Sequence, residues 1–175
     1  MELSRTAVRV VVVGGDGETG RMRVLLKFEL DCSADVAWRA IRSPAGLKQV
    51  SAPFMKFHSE QGGFPDVWPA GEHLVHVELF GLASMGRQVI AISYPPPVGD
   101  TRFVRDSGYG ISGMFTVSTG WQHTMAVMPL NSGRTLYRDE LRFEAGALTP
   151  LMWPAYWAFW QWRAIRMRTL SKGWK

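Results

Sequence analysis

Hydrophobic and polar positions alternate most cleanly in two stretches of the chain. From Met22 to Leu30, residues Met22, Val24, Leu26, Phe28 and Leu30 share one face, and Arg23, Lys27 and Glu29 take the other. From Tyr137 to Phe143, residues Tyr137, Asp139, Leu141 and Phe143 alternate with Arg138, Glu140 and Arg142. A period of two marks strands with one buried face. The second stretch therefore turns an acid, Asp139, toward the interior, where a carboxylate needs a partner or a function.

Weaker patterns fill in the rest. Val8 to Val13 is a β-branched run, and the glycine-rich loop Gly14–Gly20 would fold it as a hairpin onto Met22–Leu30. Ser51–Phe57, Glu72–Phe80, Arg87–Tyr94 and Thr101–Asp106 read as strands, with a Gly81–Gly86 turn and a stiff Pro95–Pro97 connector among them. Gln61–Ala70 is a loop, and Ser107–Gly120 is rich in glycine and shows no period. Two short helices follow the first main strand. Ser33 is a good N-cap with Asp35 in the first turn, so Ala34–Arg42 is helical, burying Val36, Ala37, Ala40 and Ile41 with Trp38 at an edge. Ser43-Pro44 ends it, and Ala45–Gln49 forms the second.

The chain closes with a long helix predicted from Pro154, a residue tolerated at the first helical position. Trp153, Tyr156, Trp157, Trp160, Ala164 and Met167 form one stripe, while Phe159, Trp162 and Ile165 lie elsewhere around it. Its first half is apolar on nearly every side. Such a helix is enclosed by protein, borders a cavity or touches lipid.

The last hairpin can be registered from sequence. A three-residue loop, Asn131-Ser132-Gly133, pairs Leu130 with Arg134, sets Met125 opposite Asp139 and sets His123 opposite Leu141. Both inward sets then share parity, which a two-residue loop would break. Glycine at the third loop position suits the common bulged hairpin. His123 becomes a diagonal neighbour of Asp139, with backbones about 7–8 Å apart and side chains within reach. As a pair, the carboxylate would orient the imidazole for proton transfer, with Tyr109 or Tyr137 as an added hydroxyl donor. The alternative is structural: Asp139 hydrogen-bonds a neighbouring strand or pairs with an arginine such as Arg105.

Composition narrows the field. The 175 residues fit one domain, with residues 1–21 as an added strand and loop. The net charge of +5 comes from fifteen Arg and five Lys scattered without a basic block, which argues against a nucleic-acid partner. Cys32 is the only cysteine, and the N-terminus lacks the pattern of a signal peptide, so a reducing, cytoplasmic location is expected. Ala145–Trp162 carries no charge over 18 residues, about the minimum for a membrane span, but Pro150, Pro154 and Gln161 interrupt it. Its four tryptophans and the trailing Arg163, Arg166 and Arg168 also suit a membrane surface.

Two motifs are set aside. Gly15-Asp16-Gly17-Glu18-Thr19-Gly20 spells a dinucleotide fingerprint, but a helix must follow it and Met22–Leu30 has strand period. His73 and His76 point to opposite faces of a strand and cannot chelate one metal. No metal and no cofactor is expected.

Three segments resemble the START-related helix-grip superfamily (SRPBCC, the polyketide cyclase/dehydrase and lipid-transport group). "FELDCSADVAWRAIRSPAGLKQV" resembles its opening strand and helix pair. "TRFVRDSGYG" is similar to an F-V-D-x-Q segment through Phe103 and Asp106. "WQHTMAVMPLNSGRTLYRDELRF" resembles the signature W-x-H-x-H-x-F followed by G-G-T-x-L-x-D-x-V-x-Y, with Trp121, His123, Thr135, Leu136, Asp139 and Phe143 on matching positions. Met125 stands where the signature has a second histidine, and the Val8–Val13 strand is extra. The resemblance implies an α+β fold, a curved antiparallel sheet wrapped around the C-terminal helix with an apolar cavity between them. It further implies that Phe103, Asp106, Tyr109, Trp121, Met125, Tyr137, Leu141, Trp153, Tyr156, Trp157 and Trp160 contact a ligand. Three functions follow in order: binding of a hydrophobic small molecule of lipid, polyketide or aromatic type; a cyclase- or dehydratase-type reaction using His123 and Asp139; and contact with a membrane surface or a partner through the Trp-rich helix.

Overall fold

The computed structural model describes residues 9–13 and 21–175. The Gly14–Gly20 loop and residue Val8 lie outside that range. Among the described residues nine strands and three α-helices follow one another: β1 (Arg9–Val13), β2 (Met22–Leu30), α1 (Ala34–Ile41), α2 (Pro44–Ser51), β3 (Met55–Ser59), β4 (Gly71–Leu79), β5 (Ala83–Ser93), β6 (Arg102–Asp106), β7 (Tyr109–Gly110), β8 (Gly120–Pro129), β9 (Thr135–Glu144) and α3 (Thr149–Ser171). The strands form one curved antiparallel sheet in the order β1-β2-β9-β8-β6-β5-β4-β3, with the two-residue β7 pairing to β5 off that path.

The two best alternating stretches become neighbours. β2 pairs with β9, setting Leu26 against Asp139, Phe28 against Tyr137 and Met22 against Phe143. Every second residue of both strands is buried, and these apolar faces meet α3. The last hairpin keeps the predicted register: Leu130 N–H donates to Arg134 O, Met125 faces Asp139, His123 faces Leu141, and Gly133 sits at φ 75°. Ser33 caps α1 by accepting from Val36 N–H, and Ala34, Ala37 and Ile41 form its buried edge.

Four boundaries differ from the expectation, each for a local reason. Ser43 accepts from Gly46 N–H and Pro44 occupies the first turn, so the second helix runs through Ser51 and the strand after it begins only at Met55. β5 begins at Ala83 because a short turn at Phe80–Leu82 closes the β4–β5 hairpin earlier. α3 begins at Thr149, five residues before Pro154. The Thr149 hydroxyl accepts from Ala145 N–H and donates to Gly146 O, which fixes the first turn, and Pro154 is then carried inside the helix. Ser107–Gly120 owes its glycines to tertiary crowding. A side chain on Gly108 would meet Val89 O at 1.9 Å, and one on Gly110 would meet the Phe115 backbone at 2.2 Å. Such contacts carry no local period.

α3 is tied along β2. Trp153 Nε1 donates to Arg23 O near one end of the strand, and Asp31 N–H donates to Ser171 Oγ just past the other. On its other side Trp162 Nε1 donates to Ala52 O, so the helix is held between the sheet and the end of α2. Among the described residues no helix is long and apolar enough to cross a membrane. Phe143 is 1% exposed, with its ring centroid 4.5 Å from that of Tyr156. Phe143→Ala is expected to lower unfolding free energy by about 3–5 kcal/mol in urea titrations, and a loss below about 1 kcal/mol would contradict this packing.

Candidate functional site

Asp139 sits on the central strand β9 and is 1% exposed. Its direct cross-strand neighbours, Leu26 and Met125, are apolar. Its partners therefore come from elsewhere. His123 Nε2 lies 2.6 Å from Oδ1 across the diagonal, Tyr137 OH donates to Oδ2 at 3.1 Å from two residues back, and Trp160 Nε1 of α3 donates to Oδ1 at 2.8 Å. Arg163, one turn further along α3, brings Nη2 to 3.6 Å from Oδ2. Arg105, the partner suggested by sequence, is paired with Thr124 on the opposite face of the sheet. Arg163 takes that role because it lies three residues beyond Trp160 and so shares its helical face. The three-residue spacing from Trp160 is the sequence signal for this role, although Arg163 also opens the trailing basic cluster.

Burial by itself would push the Asp139 carboxyl up. The charges of His123 and Arg163, with the bonds from His123 and Trp160, outweigh it and hold the group well below the usual carboxylate range. An ionised carboxylate only accepts, so His123 Nε2 carries a proton and Nδ1 is the ring atom left to act on something else. Loss of water and the neighbouring Asp139 charge raise the Tyr137 phenol well above its ordinary value, which keeps it a donor.

A second acid stands beside the imidazole. Asp106 is the direct cross-strand partner of His123. Its Oδ1 accepts from Ala91 N–H and Gly108 N–H, both at 2.9 Å, and Oδ2 from Trp121 Nε1 at 3.4 Å. It keeps some surface toward an internal space, yet loss of water there outweighs the nearby His123 charge and these bonds and pushes its carboxyl up.

That space is a cavity of about 130 Å³ between the sheet, the α1–α2 pair and α3. By this measure it holds roughly ten times what one water needs. Asp106, Tyr109, Trp121, Met125, Tyr156 and Trp160 line it, as does His123. Asp139 does not; it stands behind His123 and Trp160 and acts through them. Tyr137 and Leu141 are 0% exposed and packed into the core beside it rather than onto the cavity. Phe103 pairs with Ala126, out of phase with the inward residues Val104 and Asp106, so it lies on the other face of the sheet. Trp153 and Trp157 stack at 6.4 Å near the start of α3, away from the cavity wall. The wall also includes residues the sequence did not single out: Arg163, Phe115, Trp68 and the inner edges of α1 and α2. Trp68 is 4% exposed although it sits in the Pro- and Gly-rich loop, anchored by its N–H to Arg42 O and by the hydroxyl of Tyr94 on its own carbonyl.

No protein-family model and no curated protein matches the chain. Solved structures do. A protein from Arthrobacter aurescens superposes with a TM-score of 0.66 at 15% identity, covering 96% of this chain and 93% of its own. An aromatase/cyclase from a Streptomyces species gives 0.57 at 12% identity, over 87% and 92%. A truncated norcoclaurine synthase from Thalictrum flavum gives 0.57 at 12% identity, over 94% and 96%. These likenesses establish the fold: a helix-grip α+β domain.

The two acids should respond oppositely to loss of charge. Asp139→Asn leaves Arg163 buried without its counter-ion and should cost about 3–5 kcal/mol at neutral pH. Because the folded carboxyl of Asp139 titrates below the unfolded value of about 3.9, its contribution is present above about pH 4 and is lost as pH falls further. The variant should therefore show a flatter loss of stability in acid. Asp106, raised in the folded state, contributes in the other direction: its protonated form is favoured, and that benefit disappears as pH rises through its folded value. Asp106→Asn keeps an acceptor for the two backbone N–H groups and should stay within about 1 kcal/mol of the parent at pH 7. Urea denaturation from pH 3 to pH 7 measures both, and equal losses at pH 7 would contradict the assignment.

Proposed function

From the helix-grip frame and its enclosed interior, we propose that this protein binds a hydrophobic small molecule between the sheet and α3. One observation carries the reading: the cavity is walled mainly by aliphatic and aromatic side chains, while Asp106 and Arg163 gather around His123, the first as its cross-strand partner and the second through the shared carboxylate of Asp139. An apolar enclosure with a few convergent polar groups is the usual form of a small-molecule site. The fold supports this reading, since an aromatase/cyclase and a norcoclaurine synthase share it.

A second reading is favoured by the 2.6 Å contact between His123 and Asp139. An imidazole tied to an ionised carboxylate through Nε2 has Nδ1 left to act as a base toward a ligand in the cavity that His123 lines. It would take a proton from the carbon next to a ligand carbonyl, leaving an enolate and an imidazolium. The imidazolium is stabilised by Asp139 and can return its proton to oxygen or carbon. This is the chemistry a cyclase or dehydratase needs, and the same ligand site would serve it. The membrane-surface reading has less support. It requires exposed tryptophans, but Trp160 is 2% exposed, and Trp153, Trp157 and Trp162 are half-buried.

Extraction of the denatured protein followed by mass spectrometry is expected to yield a hydrophobic compound that is depleted in an Ile90→Trp variant, which fills the cavity. Titration with the neutral aromatic 2-acetylnaphthalene should quench tryptophan fluorescence in the parent and not in that variant. An empty extract together with no saturable quenching would overturn the binding reading. For proton transfer, deuterium incorporation into the acetyl methyl of the bound ketone should exceed the buffer rate and fall about 10²-fold or more in His123→Phe. Exchange no faster than in buffer would remove the catalytic reading.

A further inference from the structure

Arg163 is 4% exposed, carries five N–H donors and lines the cavity. Within the protein those donors face the Tyr137 hydroxyl and the Asp139 carboxylate. Nε is buried with no hydrogen-bond partner, and the approach of Nη2 to Asp139 Oδ2, at 3.6 Å, is an ion-pair distance beyond hydrogen-bond length. Asp139 is already shared among other donors, His123 and Trp160 on Oδ1 and Tyr137 on Oδ2, and Arg163 stays outside hydrogen-bond length of it. Asp106 does not help, since its Oδ1 is held by two backbone N–H groups and it makes no ion pair with Arg163 among the described residues. The guanidinium lies 5.3 Å from the ring centroid of Trp160, which holds it in place without using its donors.

A guanidinium enclosed with most of its hydrogen-bonding capacity unused is costly, and an aliphatic residue of similar volume would serve packing better. The cost is recovered when an acceptor enters from the cavity side. Carboxylates fit best, because their two oxygens match the guanidinium fork and the resulting bonds are charge-assisted. We infer that Arg163 is the anchor for an anionic oxygen group on the ligand, so that the ligand class is an amphipathic acid whose aromatic or aliphatic body fills the apolar cavity and whose carboxylate meets α3. This rests on the cavity being the ligand site and specifies what enters it. It also sets the ligand's orientation: with its acid on Arg163, its first carbons lie beside His123 and Trp160, which flank the same carboxylate of Asp139.

The test compares 2-naphthoate with 2-acetylnaphthalene, which has nearly the same shape and no charge, by fluorescence titration and mutual displacement. The parent protein is expected to bind the acid about tenfold or more tightly than the ketone, with each displacing the other. Arg163→Gln should abolish that preference while keeping ketone affinity within about threefold, and Arg163→Lys should retain part of it. If Arg163→Gln does not fold, the comparison in the parent and in Arg163→Lys still decides. Equal affinities for acid and ketone in the parent would overturn the anchor and leave the cavity reading standing. Saturable binding of neither probe would overturn the cavity reading and the anchor with it.

Discussion

The central constraint on this protein is a negative charge buried on a middle strand. Asp139 lies between Leu26 and Met125, which offer it nothing. Removing a carboxylate from water costs several kcal/mol unless donors replace the lost solvent. Four side chains converge to do so, and they come from three elements: His123 from β8, Tyr137 from β9, and Trp160 and Arg163 from α3. The helix is thus fixed over the sheet by polar contacts as well as by Ala164 and Met167, which are both 2% exposed. Hydrogen bonds supply a specific rotation and height for α3 that apolar contact alone would leave loosely determined.

Satisfying the charge also shapes the cavity. Trp160 spans the gap between Asp139 and the open space, with its indole N–H on the acid and its ring edge against His123 at 5.2 Å. The imidazole is held through Nε2 and lines the cavity. Asp106 performs a different task with the same functional group. It joins β6 to the glycine-rich segment through backbone N–H groups, and its carboxyl is raised where that of Asp139 is lowered. The two acids beside the same histidine are pushed apart by their surroundings: His123 and Arg163 together outweigh burial at Asp139, whereas at Asp106 burial outweighs His123 and the neutral donors. Such separation of paired titratable groups is how a site sustains distinct acid and base roles.

Much of the fold was legible in sequence because it depends on short-range rules. Strand period gave β2 and β9, an N-cap gave α1, and a three-residue loop gave the β8–β9 register, from which the His123–Asp139 contact follows by arithmetic. The helix-grip architecture was what the family resemblance implied, and the described structure agrees with it. Parity also placed Trp121 and Met125 on the inner face. The same parity separates Phe103 from the site: it is three residues from Asp106, and an odd spacing in a strand sends the two side chains to opposite faces.

The sequence by itself determined where the chain alternates, where it turns and which acid would be buried, because these properties depend on neighbours within a few residues. Only the tertiary structure decided what that acid would meet. Arg163 and Trp160 reach Asp139 from α3, separated from it by more than twenty residues in the case of both side chains. The glycines of Ser107–Gly120 and the buried Trp68 likewise obey contacts made across the sheet and against α1. A periodic pattern shows which face of an element is inside. It does not show which faces come together, since that is set by how all the elements pack at once.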